Sequence, residues 1–501
     1  MAGIALINRK DQHKNIEKML DKIKHRGPDV KEIFANNKIS IGYISIKNEN
    51  SRIFKDENDR YICIFDGEIY NYDSLLKGLQ NHNFATELNG EIILHLYEEI
   101  GPECVKYLDG IFSFIIYDTR ENNLFIARDP LGIKPLYYGK TEKGDFVFAS
   151  EIKALIEITE DINEFPNGYF YTTEKGFEKY YVFPQDPIDY LDTEGIIEGL
   201  RLRLEDSVKK RIDNKDIGVF LSGGLDSSLI ASIASKYKKP LISFAVGVHG
   251  SNDLKNASLV ADYLGFNHIE FAYTEKDIKQ ILPTVIYHLE SCDPALVRSA
   301  VATYFASKLA SNYVNTVFSG EGADELFAGY HYLKKYKTPW DLHDELKFIT
   351  NNMHNTNFQR VDRMTMSNSI NARVPFLDYE VIRYAFKIIP SIKIRGKDKT
   401  EKWVLRKLAE SYLPKEIVWR KKEKFSIGSG TAFILENIAE EEISDKEFLM
   451  NRRQKNGFEI KSKEELYYFK ILNSYFNTDA FLKSMGRSRS LWDNQIYASE
   501  N

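Results

Sequence analysis

Ser222-Gly223-Gly224-Leu225-Asp226-Ser227-Ser228 follows the apolar run Val219-Phe220-Leu221 and leads into a helix-forming stretch. A loop of small residues at a helix N-terminus exposes several backbone N–H groups. Together with the helix dipole these favour a multiply charged anion. Two glycines let the backbone approach such a ligand closely. Three serines add hydroxyl donors, and the Asp226 carboxylate suits Mg²⁺. The chemistry indicated is phosphate or pyrophosphate binding. It is not a Walker A loop, because the Gly-Lys-Ser/Thr ending is missing. A second loop, Ser319-Gly320-Glu321-Gly322-Ala323-Asp324-Glu325, places three carboxylates within five residues after another apolar run, Val314 to Phe318. Asp226 and Asp324 are the expected metal pair.

Both loops need a scaffold. Strand and helix patterns alternate along Ile217–Leu221, a helix from Leu225, Leu241–Val246, a helix near Leu254–Leu264, Ile269–Ala272 and Val314–Phe318. Alternation of this kind predicts a parallel sheet covered by helices. Its ligands sit beyond the carboxyl ends of the strands, where both loops fall. Ile197, Leu200, Leu204 and Val208 mark a helix before this region, and the chain from about Asp341 reads as mostly helical.

The first part of the chain reads differently. Helices are expected around Ile16–Ile23 and Ile92–Ile100, with short strands at Tyr61–Phe65, Ile111–Tyr117, Leu124–Ala127 and Phe146–Ala149. Clustered strands with few crossover helices predict an α+β sandwich. Phe183 to Asp192, with two prolines and three acids, reads as a linker. The expected division is residues 1–185 and 193–501.

The Ser222 loop is similar to the SGGxDS signature of ATP pyrophosphatases, which split ATP between its α and β phosphates. The whole chain resembles the class B, glutamine-hydrolysing asparagine synthetases. The matching blocks include His25–Asp29, Asp66–Asn71, Arg128–Tyr137, Ala149–Leu155, Ser243–Gly247, Ala372–Asp378 and Trp419–Ser426, beside the two loops. The resemblance implies an Ntn-hydrolase-type αββα sandwich followed by an α/β parallel-sheet domain of ATP-pyrophosphatase type. It implies that ATP with Mg²⁺ adenylates the aspartate side chain, and that ammonia displaces AMP. Ser222, Gly223, Gly224, Asp226, Ser227 and Ser228 match the pyrophosphate loop. Leu221, Val246 and Gly320 match positions lining AMP. Glu321 matches the acid beside the reacting centre, and Lys402 and Lys422 match lysines facing the phosphates. Asn357 and Asn371 replace an Asp and a Glu of the family pattern, and both are expected near the acyl-accepting side.

The amidotransferase half departs further. Family members begin Met-Cys-Gly-Ile, whereas this chain begins Met1-Ala2-Gly3-Ile4. Ala2 carries no nucleophile, which closes the thioester route from glutamine. Tyr43 stands where the family's arginine grips the glutamine carboxylate, Asp66 replaces an asparagine, and Asn89 falls at or near a lost aspartate. Four changes in one pocket point to loss of glutamine hydrolysis. His25, Arg26 and Asp29 are then expected to serve structure and packing.

Bulk properties exclude other classes. A net charge of −5 over 501 residues offers no general attraction for nucleic acid or an anionic membrane. No apolar run reaches the length of a membrane span. Cys63, Cys104 and Cys292 form no metal or disulfide framework, so a reducing cytoplasm is the expected setting. The expected partners are a small carboxylate, aspartate above others, and ammonia or an amine; a homodimer stays open. Two other readings stay open as well: a tailoring enzyme acting on another carboxylate, and a nucleotide-binding regulator without turnover.

Overall fold

Ala2–Ile7 is buried at all six positions, so this strand lies inside the fold rather than on an edge. Its alternate side chains serve two cores. Ala2, Ile4 and Leu6 join a cluster with Tyr43, Ile64, Ile115 and Phe148, whereas Ala5 and Ile7 join Ile16, Met19 and Leu20. The computed structural model describes residues 2–46, 53–184, 192–213, 216–454, 457–476 and 479–488. Within them, two antiparallel six-stranded sheets stack face to face. The first runs Asp161–Glu164, Tyr137–Lys140, Phe146–Ala149, Ala2–Ile7, Ser40–Ser45, Val30–Ala35; the second runs Gly176–Lys179, Tyr169–Thr172, Asn123–Arg128, Gly110–Asp118, Tyr61–Ile69, Phe54–Lys55. Helix His13–Lys22 covers the outer face of the first sheet and helix Asn89–Ile100 that of the second. This is the expected αββα sandwich.

Beyond it lies a five-stranded parallel sheet in the order Asn267–Tyr273, Ile242–Val248, Ile217–Phe220, Thr316–Phe318, Asn371–Arg373. Helices Leu225–Tyr237 and Asn252–Leu264 pack into one core and helices Glu275–Leu289 and Pro294–Ala310 into another. The last strand is absent from the sequence reading, where this stretch falls in a helical region. Three residues are too few to show a period. Most of the expected linker, residues 185–191, lies outside the described residues.

Buried ion pairs join the sandwich to the helices behind the parallel sheet. Arg26 is fully buried; its Nη1 lies 2.9 Å from Glu151 and 2.6 Å from Asp362, and its Nη2 2.8 Å from Asp66. Arg363 meets Glu151 at 3.4 Å, and Arg373, on the last strand of the parallel sheet, meets Glu68 at 2.6 Å. Burial works against the charge of Arg26, but Asp362, Asp66 and Glu151 outweigh it and hold the guanidinium above its ordinary range.

Candidate active site

The central strand, Ile217–Phe220, and its neighbour, Thr316–Phe318, run in parallel with Val219 opposite Phe318. Their following loops therefore emerge at the same edge of the sheet. The loops touch backbone to backbone. A Cβ on Gly320 would lie 2.7 Å from the Ser227 nitrogen, so only glycine fits there. Gly223 has φ +64° and packs against Asn256 and Ala257, which bends the first loop into the start of helix Leu225–Tyr237. The Ser222 and Ser227 hydroxyls meet at 3.2 Å, and the Gly224 N–H donates to the Ser222 hydroxyl at 3.3 Å.

A cavity of about 1260 Å³ opens over both loops. Leu221, Ser222, Gly224, Asp226, Ser227, Val246, Gly320, Glu321, Asp324, Lys402 and Lys422 all line it. Gly223 and Ser228 do not belong to the lining. Gly223 faces helix Asn252–Leu264, and Ser228 is fully buried one turn into its helix. Their part is to shape the loop from behind.

At the cavity floor, the Lys402 ammonium bridges Asp226 at 2.5 Å and Asp324 at 2.6 Å. Lys422 donates to Asp324 Oδ2 at 2.7 Å. Burial alone would depress the Lys402 ammonium, but Asp226 and Asp324 hold it above the ordinary lysine range. In the same way burial would raise Asp324, and Lys402 and Lys422 hold it well below the ordinary carboxylate range. Lys402 itself has φ +55°, a left-handed conformation that a side-chain-bearing residue adopts at some cost. The Asp226 Oδ1 atom is buried and accepts no hydrogen bond. Two carboxylates lining the cavity, one with an orphaned oxygen, form a hard all-oxygen donor set that fits Mg²⁺.

A second cluster lies beside the first, on the same Ser319 loop. The Glu321 carboxylate accepts from Asn357 Nδ2 at 3.0 Å and from Arg360 at 2.6 Å. The same Asn357 nitrogen donates to Glu325 Oε1 at 2.7 Å. Tyr330 also donates to Glu325. Burial, then the charges of Asp324 and Glu321, push the Glu325 carboxyl up to about 8. Asn371 does not join this cluster, contrary to the expectation that placed it beside the acyl acceptor. It starts the edge strand opposite Thr316 and is buried. Arg360 and Tyr330 escaped the sequence reading, which counted Glu325 among the carboxylates of its loop but gave it no role. Arg360 was open to detection, because it lies one turn after Asn357 on helix Asn357–Met366.

Comparison with known proteins bears on both halves of the chain. Residues 1–180 match the family model for a glutamine amidotransferase domain, and residues 199–351 and 338–495 match that for asparagine synthase. A glutamine-hydrolysing asparagine synthetase of Lotus japonicus is 37% identical over 490 residues, covering 91% of this chain and 82% of the relative. One of Sandersonia aurantiaca is 36% identical, covering 91% of both chains. The chain belongs to the glutamine-hydrolysing asparagine synthetase family.

Against that family, the amidotransferase pocket of this synthetase homologue has an unusual interior. Ala2 is fully buried; its N–H donates to Asp66 Oδ1 at 3.0 Å and its carbonyl accepts from Arg26 Nε at 3.0 Å. Tyr43 points into the layer between the two sheets, in one apolar cluster with Ala2 and Ile64. Burial raises its phenol well above the ordinary range, so it offers no cation for a glutamine carboxylate. The Asn89 amide oxygen accepts from the Ile69 N–H at 2.8 Å. His25 contacts Glu151 at 3.1 Å and stacks edge-on with His288. Among the described residues, no helix is long and apolar enough to cross a membrane.

Proposed function

We propose that this carbon–nitrogen ligase makes asparagine from aspartate, ATP and ammonia, and that it has lost glutamine hydrolysis. The observation that carries the reading is the shared cavity. Two loops from adjacent parallel strands meet there, with Lys402 bridging Asp226 and Asp324. The N–H groups at the start of helix Leu225–Tyr237 and the Ser222 and Ser227 hydroxyls cradle pyrophosphate. Leu221, Val246 and Gly320 border the AMP moiety. When bound to Asp226 and Asp324, Mg²⁺ supplies charge neutralisation at the phosphates.

An aspartate carboxylate oxygen bonds to the α-phosphorus of ATP, and the bond to the bridging oxygen of pyrophosphate breaks. Lys402 and Lys422 offset the charge that grows on the leaving pyrophosphate. The ammonia nitrogen then bonds to the acyl carbon, AMP leaves, and the Glu321 carboxylate takes the proton that nitrogen sheds. Arg360 and Asn357 hold Glu321 in place. The chain folds as two domains, 1–185 and 193–501, of which the first keeps its sandwich and its ion pairs but no nucleophile at Ala2.

One observation favours a different acceptor. Asn357 puts an amide between Glu321 and Glu325 where the family pattern has an acid, so the wall of the acceptor side differs in charge. The test is pyrophosphate release with ATP and Mg²⁺ across a panel of carboxylic acids, with ammonium or with glutamine. Asparagine formed from aspartate and ammonium, but not from glutamine, supports the proposal. Release with another acid alone moves the acceptor, and no release with any acid leaves a nucleotide-binding regulator.

A further inference from the structure

A second group of metal-ligand residues lies far from the synthetase cavity, on the outer layer of the sandwich. Glu57, His82, His95 and Glu98 each offer one donor atom, and the four atoms lie within 4.8 Å of one another. They come from three segments: the turn after strand Phe54–Lys55, the stretch before helix Asn89–Ile100, and that helix itself. His95 and Glu98 share a helix face at a spacing of three. The two imidazole rings lie 4.5 Å apart, and both Nδ1 atoms face the Glu98 carboxylate, at 2.7 Å from His95 and 3.6 Å from His82. Glu57 reaches toward the same point, 3.9 Å from each Nδ1.

The surroundings are arranged as outer partners of a metal site would be. His82 Nε2 lies 2.9 Å from Glu99, and His95 Nε2 lies 3.8 Å from Glu91. The Glu99 carboxylate on His82 Nε2 keeps the proton there and leaves that ring's Nδ1 lone pair for an ion; His95 Nδ1 donates to Glu98 at 2.7 Å, a proton that a bound ion displaces, and its Nε2 is buried without a hydrogen-bond partner. Glu91 in turn accepts from the Ala85 N–H at 2.6 Å and the Thr86 N–H at 2.7 Å, which pins the segment that carries His82. The Asn83 N–H donates to Glu57 at 2.8 Å. Among the described residues, the ion-pair partners of Glu57, Glu91, Glu98 and Glu99 are these two imidazoles rather than any lysine or arginine. Four carboxylates around two imidazoles, in either protonation state of the rings, leave a surplus of negative charge that a divalent cation would cancel.

We propose that Glu57, His82, His95 and Glu98 form a binding site for a divalent transition metal, with Zn²⁺ the best match, which ties three segments of the sandwich together. Two nitrogens and two oxygens, with no thiolate, suit Zn²⁺ better than Ca²⁺ or Mg²⁺, which prefer oxygen alone. Tetrahedral donors at the usual Zn²⁺ distances sit about 3.4 Å apart, so the set closes when Glu57 moves inward from 3.9 Å and the 2.7 Å contact between His95 and Glu98 opens. The role is structural, because four protein ligands fill the coordination shell.

The test uses the full chain, stripped with a chelator and titrated with Zn²⁺ in excess Mg²⁺. Bound metal is read by native mass spectrometry and stability by thermal melting. A single Zn²⁺ per chain with a raised melting temperature is expected. His82→Ala and Glu57→Gln, both near the surface, should each weaken binding by more than tenfold, and Glu99→Gln by about tenfold through the His82 ring. Asp226→Asn should leave it unchanged. The proposal is overturned if the wild-type chain binds no Zn²⁺, if His82→Ala and Glu57→Gln bind it as well as wild type, or if Asp226→Asn abolishes it.

Discussion

Two regions of this molecule bury many charges, and they do opposite things with them. Around Ala2, every Arg26 side-chain nitrogen has a partner within the protein: Nε to the Ala2 carbonyl, Nη1 to Glu151 and Asp362, and Nη2 to Asp66 and Asp362. In the cavity over the parallel sheet, Asp226 Oδ1, Glu325 Oε2 and an Arg420 nitrogen are buried without a hydrogen-bond partner. Uncompensated buried polar atoms are costly, and these three belong to residues that line the cavity, where a ligand would complete them. Charges that satisfy one another build structure; charges left incomplete beside a void await a substrate. The Ala2 region has orphaned atoms of its own, Ser45 Oγ, His288 Nδ1 and Arg363 Nε, but its central guanidinium is fully paired and no orphaned carboxylate oxygen lies beside it.

The sharpest way to break the contrast is at Asp324. Replacing it by alanine leaves Lys422 without its partner and Lys402 with only Asp226. Mg²⁺-dependent adenylation should vanish in Asp324→Ala, and likewise in Asp226→Ala, while far-ultraviolet circular dichroism stays native. ATP–pyrophosphate exchange near the wild-type rate in either variant would remove both from the metal assignment.

In the Ala2 region the corresponding change should be read in stability. Arg26→Met takes the shared guanidinium from three buried carboxylates and leaves Asp66 and Asp362 only the more distant Lys134 and Arg363. Removing one partner of a buried ion pair costs roughly 3–5 kcal/mol, and an unfolding free energy lowered by that amount in urea titrations is the expected result. A shift below about 0.5 kcal/mol would mean the network is no more than surface charge.

Lys422 sharpens the comparison further. Lys422→Ala should slow adenylation by roughly a hundredfold, as expected for a preorganised charge at a reacting phosphate. Lys421→Ala, at the exposed neighbour, should do little. Equal and small effects in ATP–pyrophosphate exchange would place the whole run on a solvated face.

Glu325 predicts a pH effect. Its carboxyl titrates near 8 in the fold against an ordinary value of 4.5, because burial and the Asp324 and Glu321 charges disfavour ionisation. The stability tied to its neutral form is fully present below about pH 4.5 and is lost as pH rises toward 8. Glu325→Gln should therefore gain on wild type between pH 5 and 8 in urea titrations. Parallel curves for the two proteins would show that the residue is ionised throughout.

The smallest expected effect is none at all. Ala2→Cys should yield no glutamate from glutamine, because Tyr43 lies within the intersheet core and cannot pair with a carboxylate as an arginine fork does. Glutamate release above the blank would show that only the nucleophile was missing.

Much of this was legible before any coordinates. The Ser222 and Ser319 loops, the alternation of strand and helix after Thr193 and the two helices of the sandwich rest on local patterns, since hydrophobic period and turn residues act over a few positions. Family blocks assigned Lys402 and Lys422, which composition alone would leave on the surface. Other features depended on packing between distant segments. Asp226 and Asp324 are 98 residues apart in sequence, by subtraction of their numbers, yet share one lysine. Asn371 sits in a strand of three residues, whose pairing with Thr316–Phe318 turns it away from the acceptor. Of Glu57, His82, His95 and Glu98 only the last two have a helical spacing, and the four meet because a turn, a pinned segment and a helix converge. Backbone preference is a short-range property of the chain, whereas the position of one side chain against another is set by every layer packed between them.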